Sequence, residues 1–178
     1  MPKISTVKDY DGFKAKIQRL DLSSIVSEVE SALTSFPLHL EERKHANGTK
    51  GLRQAIDERF EAAGGWTKIT VGGVDWTKSS PKGAKIGVEV QVSGRSDLLA
   101  VDVLHLKNDI ALGDLDVGMI IVPDNGTSKF LTDRTPNLAT AQRHVELHAS
   151  DLPIRIMAFS HDGVGPALDK MRTNLGKI

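Results

Sequence analysis

The sequence contains no cysteine. That excludes disulfides, thiolate catalysis and every cysteine-type zinc site, and it fits a cytoplasmic protein. No apolar run approaches the roughly 18 residues of a membrane-spanning helix, so no membrane partner is expected. The opening MPKISTVKDYDG lacks the apolar stretch of a secretory leader. Net charge is also missing: 23 Lys and Arg balance 23 Asp and Glu. This argues against a surface that is cationic all over, though not against a local basic cleft. Lys and Arg do concentrate in EERKHANGTKGLR (41–53) and in WTKSSPKGAK (76–85). A solvated loop is the ordinary explanation of either cluster alone.

Several catalytic signatures are absent. GVGPA (163–167) is a glycine-rich turn, but it has neither GxGxxG nor a phosphate-loop lysine. No GxSxG elbow occurs, which leaves a serine hydrolase unsupported. HVELH (144–148) spaces two histidines one helical turn apart without the HExxH arrangement, so a surface pair is the simpler reading.

What is present is an alternation of helical and strand patterns without repeats. Ile25, Val29, Ala32 and Leu33 predict an amphipathic helix over 21–35, ending before Phe36-Pro37. A polar loop, 38–47, leads to a second helix over 48–63, closed by Gly64-Gly65. Strands are expected at 68–76 and 84–92, joined by the polar turn 77–83 as an antiparallel hairpin. A largely apolar helix follows over 97–112, carrying Leu98, Val101, Leu104 and Leu112 beside Leu99, Val103 and Leu106. VGMIIVP (117–123) is continuously apolar, as in a strand buried on both faces. A loop over 124–135, a helix over 136–149 opened by proline, a strand over 152–160 and a closing helix over 165–176 complete the pattern. The expected fold is a single α/β domain over 1–178, with a mixed central β-sheet flanked by helices. Residues 1–65 would form a helical N-terminal part, 66–162 the sheet core and 163–178 a C-terminal helix.

The stretch GVEVQVSGR (87–95) is the candidate for chemistry. Val88, Val90 and Val92 alternate with Glu89, Gln91 and Ser93, so the polar groups share one face of a strand. If the hairpin pairs as expected, Asp75 and Glu89 converge at one end of the sheet. Two carboxylates and a backbone carbonyl form an oxygen-rich set suited to Mg²⁺. On spacing alone, a turn acid and a surface acid are the ordinary reading.

These residues resemble a known family. GVDW followed by GVEVQVSG is similar to the active-site region of type II restriction endonucleases of the BglII and BstYI kind. That group is a branch of the PD-(D/E)XK nucleases with Glu-x-Gln in place of Glu-x-Lys. FPLHL (36–40), VGMIIVPDN (117–125) and AQRHVELHASDLPIRIMAF (141–159) resemble further blocks of the family, in the same order. The resemblance covers about residues 20–162 and implies a restriction-endonuclease-like core.

It also implies roles. Asp75 and Glu89 would be catalytic metal-binding carboxylates, with the Val90 carbonyl completing the inner shell of one or two Mg²⁺. Gln91 would orient the water or the scissile phosphate, as the usual lysine does. Ser93, Gly94 and Arg95 would lie against DNA, and Asp133, Arg134 and Thr135 would form a second base-reading loop, where Arg suits guanine and Asp cytosine. Arg43, Lys44 and Lys50 would contact phosphates. A helix acid, Glu58 or Glu61, would assist. The implied enzyme is a homodimer making Mg²⁺-dependent double-strand cuts at a palindrome, centred on GATC in relatives, beside a cognate DNA methyltransferase. Alternatives are a DNA-binding module of the same fold without cleavage, a non-specific or structure-specific nuclease, and a metabolic α/β enzyme. Two departures stand out. SSPKGAK lengthens the interval from Asp75 to Glu89, and Gly94-Arg95 replaces a larger polar-aromatic pair.

Overall fold

The computed structural model describes residues 1–93 and 96–170. Its centre is a six-stranded sheet in the order β1-β7-β6-β5-β4-β3. The inner strands β5 (Lys85–Val90), β6 (Val117–Pro123) and β7 (Ile154–Ser160) run parallel. β4 (Trp76–Ser79) joins β5 antiparallel, and β3 (Thr67–Lys68) extends that edge. β1 (Lys3–Asp9) closes the other edge, antiparallel to β7. A separate parallel pair joins β2 (His39–Leu40) to β8 (Gly163–Val164).

Helices cover both faces, which is why the middle strands are apolar throughout. One face packs under α1 (Phe13–Arg19), α2 (Ser23–Thr34) and α3 (Lys50–Ala63). There Ile25, Val29, Leu33, Ile56 and Phe60 share a core with Val88, Val90, Met119 and Ile121. The other face packs under α4 (Leu99–Leu112) and α5 (Leu138–His148). Leu99, Val103, Leu106 and Val145 meet Ile120, Val122, Ile154 and Ile156 there. β6 thus sends Met119 and Ile121 one way and Ile120 and Val122 the other, the period-2 signature of a strand. The mixed α/β architecture is the one expected from the sequence, and among the described residues no helix is long and apolar enough to cross a membrane.

Four expectations are corrected. The strand expected over 68–76 is two short strands around a loop, because Gly72 and Gly73 adopt positive φ and turn the chain. The hairpin turn is 80–84 rather than 77–83, closed by Ser80 N donating to Ala84 O and by Gly83 at φ 85°. The N-terminal part is not purely helical, since β1 is a sheet strand. Its side chains are mostly exposed, so no apolar alternation announces it. The helix expected over 165–176 does not form over 165–170, and its remainder lies outside the described residues.

Arg155 on β7 holds β1 in place. Its Nε and Nη2 donate to the two Asp9 oxygens at 2.6 and 2.8 Å, a bidentate pair across the strands. On the opposite side, glycine sets the height of α4. A Cβ at Gly118 would stand 2.8 Å from Leu106 Cδ2, so the helix can sit low on the sheet only because β6 offers no side chain there. Gly118→Val is expected to lift α4 at a cost of about 1–3 kcal/mol, the usual penalty for overpacking. Thermal unfolding measures the loss, and an unchanged melting temperature would show that α4 is not seated on this glycine.

Candidate active site

The site forms where β5 ends and the two faces of the sheet meet. In the antiparallel register Trp76 faces Val88, so Asp75, one residue earlier, stands opposite Glu89. The Asp75 carboxylate is pinned there because Val90 N donates to its Oδ2 at 2.8 Å. Asp75 O accepts from Ile69 N, which ties the glycine loop to the same point. The valines of GVEVQV lie wholly in the core under α2 and α3. Glu89 points to the α4 side and is almost fully buried, at 2% exposure. Its Oε1 has no hydrogen-bond partner.

Two more site residues come from α4. Asp102 accepts a short hydrogen bond from Gln91 Nε2. His105 places Nδ1 3.8 Å from Glu89 Oε1. Their i,i+3 spacing puts both on one helical face. Among the described residues, Glu89, Asp102 and His105 are the group of acids and histidines close enough to share an ion. The sequence reading missed both, because they sit inside a segment dominated by leucine and valine. Their recurrence three residues apart on the buried side was the available signal.

α3 contributes the positive charge. Arg53 Nη2 pairs with Asp75 Oδ1 at 3.0 Å, its Nη1 donates to Val90 O at 2.8 Å, and its Nε pairs with Asp57 at 3.0 Å. Asp57 also accepts from Lys68 Nζ and from Trp76 Nε1. Burial alone would raise the Asp57 carboxyl, but Lys68, Arg53 and Trp76 together hold it below its usual range. The helix acid that faces the site is therefore Asp57. Glu58 accepts from Gln54 on the exposed side, and with Glu61 it lines the open cavity beyond. Arg53 and Asp57 form an i,i+4 pair beside the buried Leu52, Ile56 and Phe60 stripe, a sign visible in the sequence.

That cavity holds about 750 Å³ and is lined by Lys50, Arg53, Asp57, Lys68 and Ser93, among others. The 41–50 stretch and the 128–135 loop flank it and are stitched together. His45 N and Asn47 N donate to the carbonyls of Lys129 and Phe130, and buried Asn47 adds side-chain bonds to Glu41 and Phe130. Arg43 and Lys44 are exposed, Arg43 against Glu41. Asp133 and Arg134 are exposed, whereas Thr135 is buried with its hydroxyl bonded to Thr132 at 2.7 Å. Gly94 and Arg95 lie outside the described residues. His144 and His148 stack on α5, away from the acids.

Crowding of acids shifts their protons. Burial, then the Asp75 and Asp102 charges, push the Glu89 carboxyl from 4.5 up to about 10. Burial and Asp75 likewise raise Asp102 to about 7, against the opposing pull of Arg53 and Gln91.

Comparison with known proteins agrees with this architecture. The family model "Restriction endonuclease BglII/BglIII" matches residues 9–159. A crystal structure of the restriction endonuclease BglII complexed with a DNA 16-mer superposes with a TM-score of 0.60 at 17% identity, covering 88% of this chain and 78% of that one. A crystal structure of free BglII gives 0.57 at 18% identity, covering 94% and 81%. No curated protein sequence matches the chain. The fold and the family match together define a type II site-specific endonuclease. More particularly, the chain belongs to the BglII/BglIII restriction endonuclease family, whose model spans most of its length.

The proton on Glu89 has a measurable consequence. Between about pH 4.5 and about 10 this carboxyl is protonated when folded and ionised when unfolded, so the metal-free protein loses stability as pH rises through that window. Glu89→Gln, neutral at every pH, is expected to stabilise the metal-free protein by about 2–3 kcal/mol at mildly alkaline pH. Calorimetry across pH checks this, and a variant that tracks the native pH profile would contradict it.

Proposed function

We propose that the protein cuts double-stranded DNA by Mg²⁺-dependent phosphodiester hydrolysis, with Asp75 and Glu89 as metal ligands and Gln91 completing the catalytic set. The observation that carries this is the convergence of Asp75 on the buried Glu89 carboxyl beside Val90 at the end of β5. Such an all-oxygen donor set fits Mg²⁺, one or two ions per site. A bound divalent cation there would polarise the scissile phosphate and lower the pKa of a coordinated water.

The chain's own groups prepare that step. Arg53 satisfies Asp75 and the Val90 carbonyl, the two groups that would hold a cation together with Glu89. Glu89 must release its proton, which couples metal binding to pH. Gln91, tethered through its amide nitrogen to Asp102, orients the water or the phosphate at the end of β5.

DNA is the proposed partner, as it is the partner of BglII in its complex. Lys50 and Ser93 line the cavity beside Arg53, and Arg43 and Lys44 extend its basic margin for phosphate contacts. Asp133 and Arg134, exposed on the stitched loop, are the leading base readers, with Gly94 and Arg95 next along the chain from Ser93. The burial of Thr135 suits a role in shaping the loop. A GATC-centred palindrome follows from the family resemblance, and a palindrome calls for two-fold symmetry. Exposed Leu98 just before α4, Val101 and Leu104 on α4 and Leu147 on α5 offer a homodimer face. A cognate methyltransferase would protect the host DNA in the cytoplasm.

Incubation of phage DNA with Mg²⁺ is expected to give discrete fragments. Asp75→Ala and Glu89→Ala should each reduce cutting by at least about a hundredfold. Full activity in either variant would overturn the site. Random nicking would indicate a non-specific nuclease, and site-specific binding without cutting a DNA-binding module. By sedimentation, Val101→Glu with Leu104→Glu should convert a dimer to a monomer. A native protein that sediments as a monomer would remove the dimer proposal.

A further inference from the structure

We propose that Glu89, Asp102 and His105 form a second cation position, on the α4 side of Glu89, that takes a first-row transition-metal dication in preference to Mg²⁺, with Mn²⁺ as its paramagnetic probe. One ligand atom from each residue lies within 4.8 Å of the others. A cluster of acids alone would not define a site, but two atoms here are buried without partners: Glu89 Oε1 and His105 Nδ1. They face each other at 3.8 Å. That is too long for a hydrogen bond. It does suit two donors on one ion, since metal–ligand bonds of about 2.0–2.2 Å place neighbouring donors roughly 3–4 Å apart.

The third donor is oriented in advance. Gln91 Nε2 donates to Asp102 Oδ2, which restrains that carboxylate on the side facing Glu89. The helix is held at the right height, because Leu106, the residue after His105, rests on Gly118. The donor chemistry then separates this position from the one between Asp75 and the Val90 carbonyl. That position offers oxygen only, whereas this one includes an imidazole, which favours first-row transition metals over Mg²⁺ or Ca²⁺. Glu89 lies between the two and can serve both through its two oxygens. The inference rests on the proposed nuclease site only in sharing Glu89.

The test is pulsed electron paramagnetic resonance on the full-length protein loaded with Mn²⁺, in excess Mg²⁺ and without DNA. Nitrogen modulation from a directly bound imidazole is expected. It should vanish in His105→Ala and in His105→Gln, and persist in Asp75→Asn. Calorimetric titration of Asp102→Asn with Mn²⁺ should show one class of site weakened by at least about tenfold. Circular dichroism confirms that each variant is folded, and the native protein alone suffices for the first reading. Absence of nitrogen coupling in the native protein, or coupling that survives both His105 substitutions, overturns the proposal. Nitrogen coupling in a protein that cuts no DNA would keep this site and sink the nuclease reading, and cutting without coupling would do the reverse.

Discussion

A carboxylate buried with one oxygen unpaired is the constraint on which the rest of the site depends. Glu89 occupies a central strand covered by helices on both faces, where a solvated acid cannot exist. Ionised and unpaired, it would be prohibitively costly there, so it keeps its proton. Nothing in packing requires an acid at this place; valine would fill the strand at less cost. Under the proposed function the acid is a ligand held ready, with stability given up locally for a preformed site.

The surroundings manage the accumulated negative charge. Asp75, Glu89 and Asp102 converge, and Arg53 is the cation placed among them, with Asp57 holding its guanidinium from behind. Arg53 also takes the Val90 carbonyl, so one side chain satisfies both the Asp75 carboxylate and that backbone acceptor. This lets the metal-free protein fold around an acidic pocket. Asp57 in turn is shared with Lys68 and Trp76 Nε1, and Trp76 stacks on Phe60 in the core. The charge network is thereby anchored to the packing of α3 on the sheet.

Much of the fold was legible because its signals are strong and local. The apolar run 117–123, the helical spacing of Ile25, Val29 and Leu33, and the proline before α5 each indicate one structure. β1 was not legible, since an edge strand with mostly exposed side chains carries no apolar period. The break between β3 and β4 was hidden because Gly72-Gly73 lies inside an otherwise strand-like segment. In the candidate site, the approach of Asp75 to Glu89 was legible from the hairpin pattern. Asp102, His105, Arg53 and Asp57 were not, because their meaning depends on how two helices approach the end of β5 from opposite faces. A helix acid was expected, but spacing alone could not say that Asp57, rather than Glu58 or Glu61, turns inward. On α4 the leucines and valines divide into a buried stripe and an exposed one, a division set by tertiary packing.

The interval between Asp75 and Glu89 shows how core and site enforce each other. The intervening residues form the hairpin, where Ser79 pairs with Lys85 and the turn closes over 80–84, while the base keeps Trp76 against Val88. A slip of one residue would exchange every inward and outward side chain of β5. Glu89 would then enter the core under α2 and α3, and Val88 or Val90 would face Asp102 and His105. Both outcomes are costly, the first because it buries a charge among Phe60, Ile56 and Leu33, the second because it leaves the acids of α4 against a valine. The register that packs the valines is therefore the one that aligns the carboxylates. Hairpin length is free to vary so long as it leaves that register unchanged.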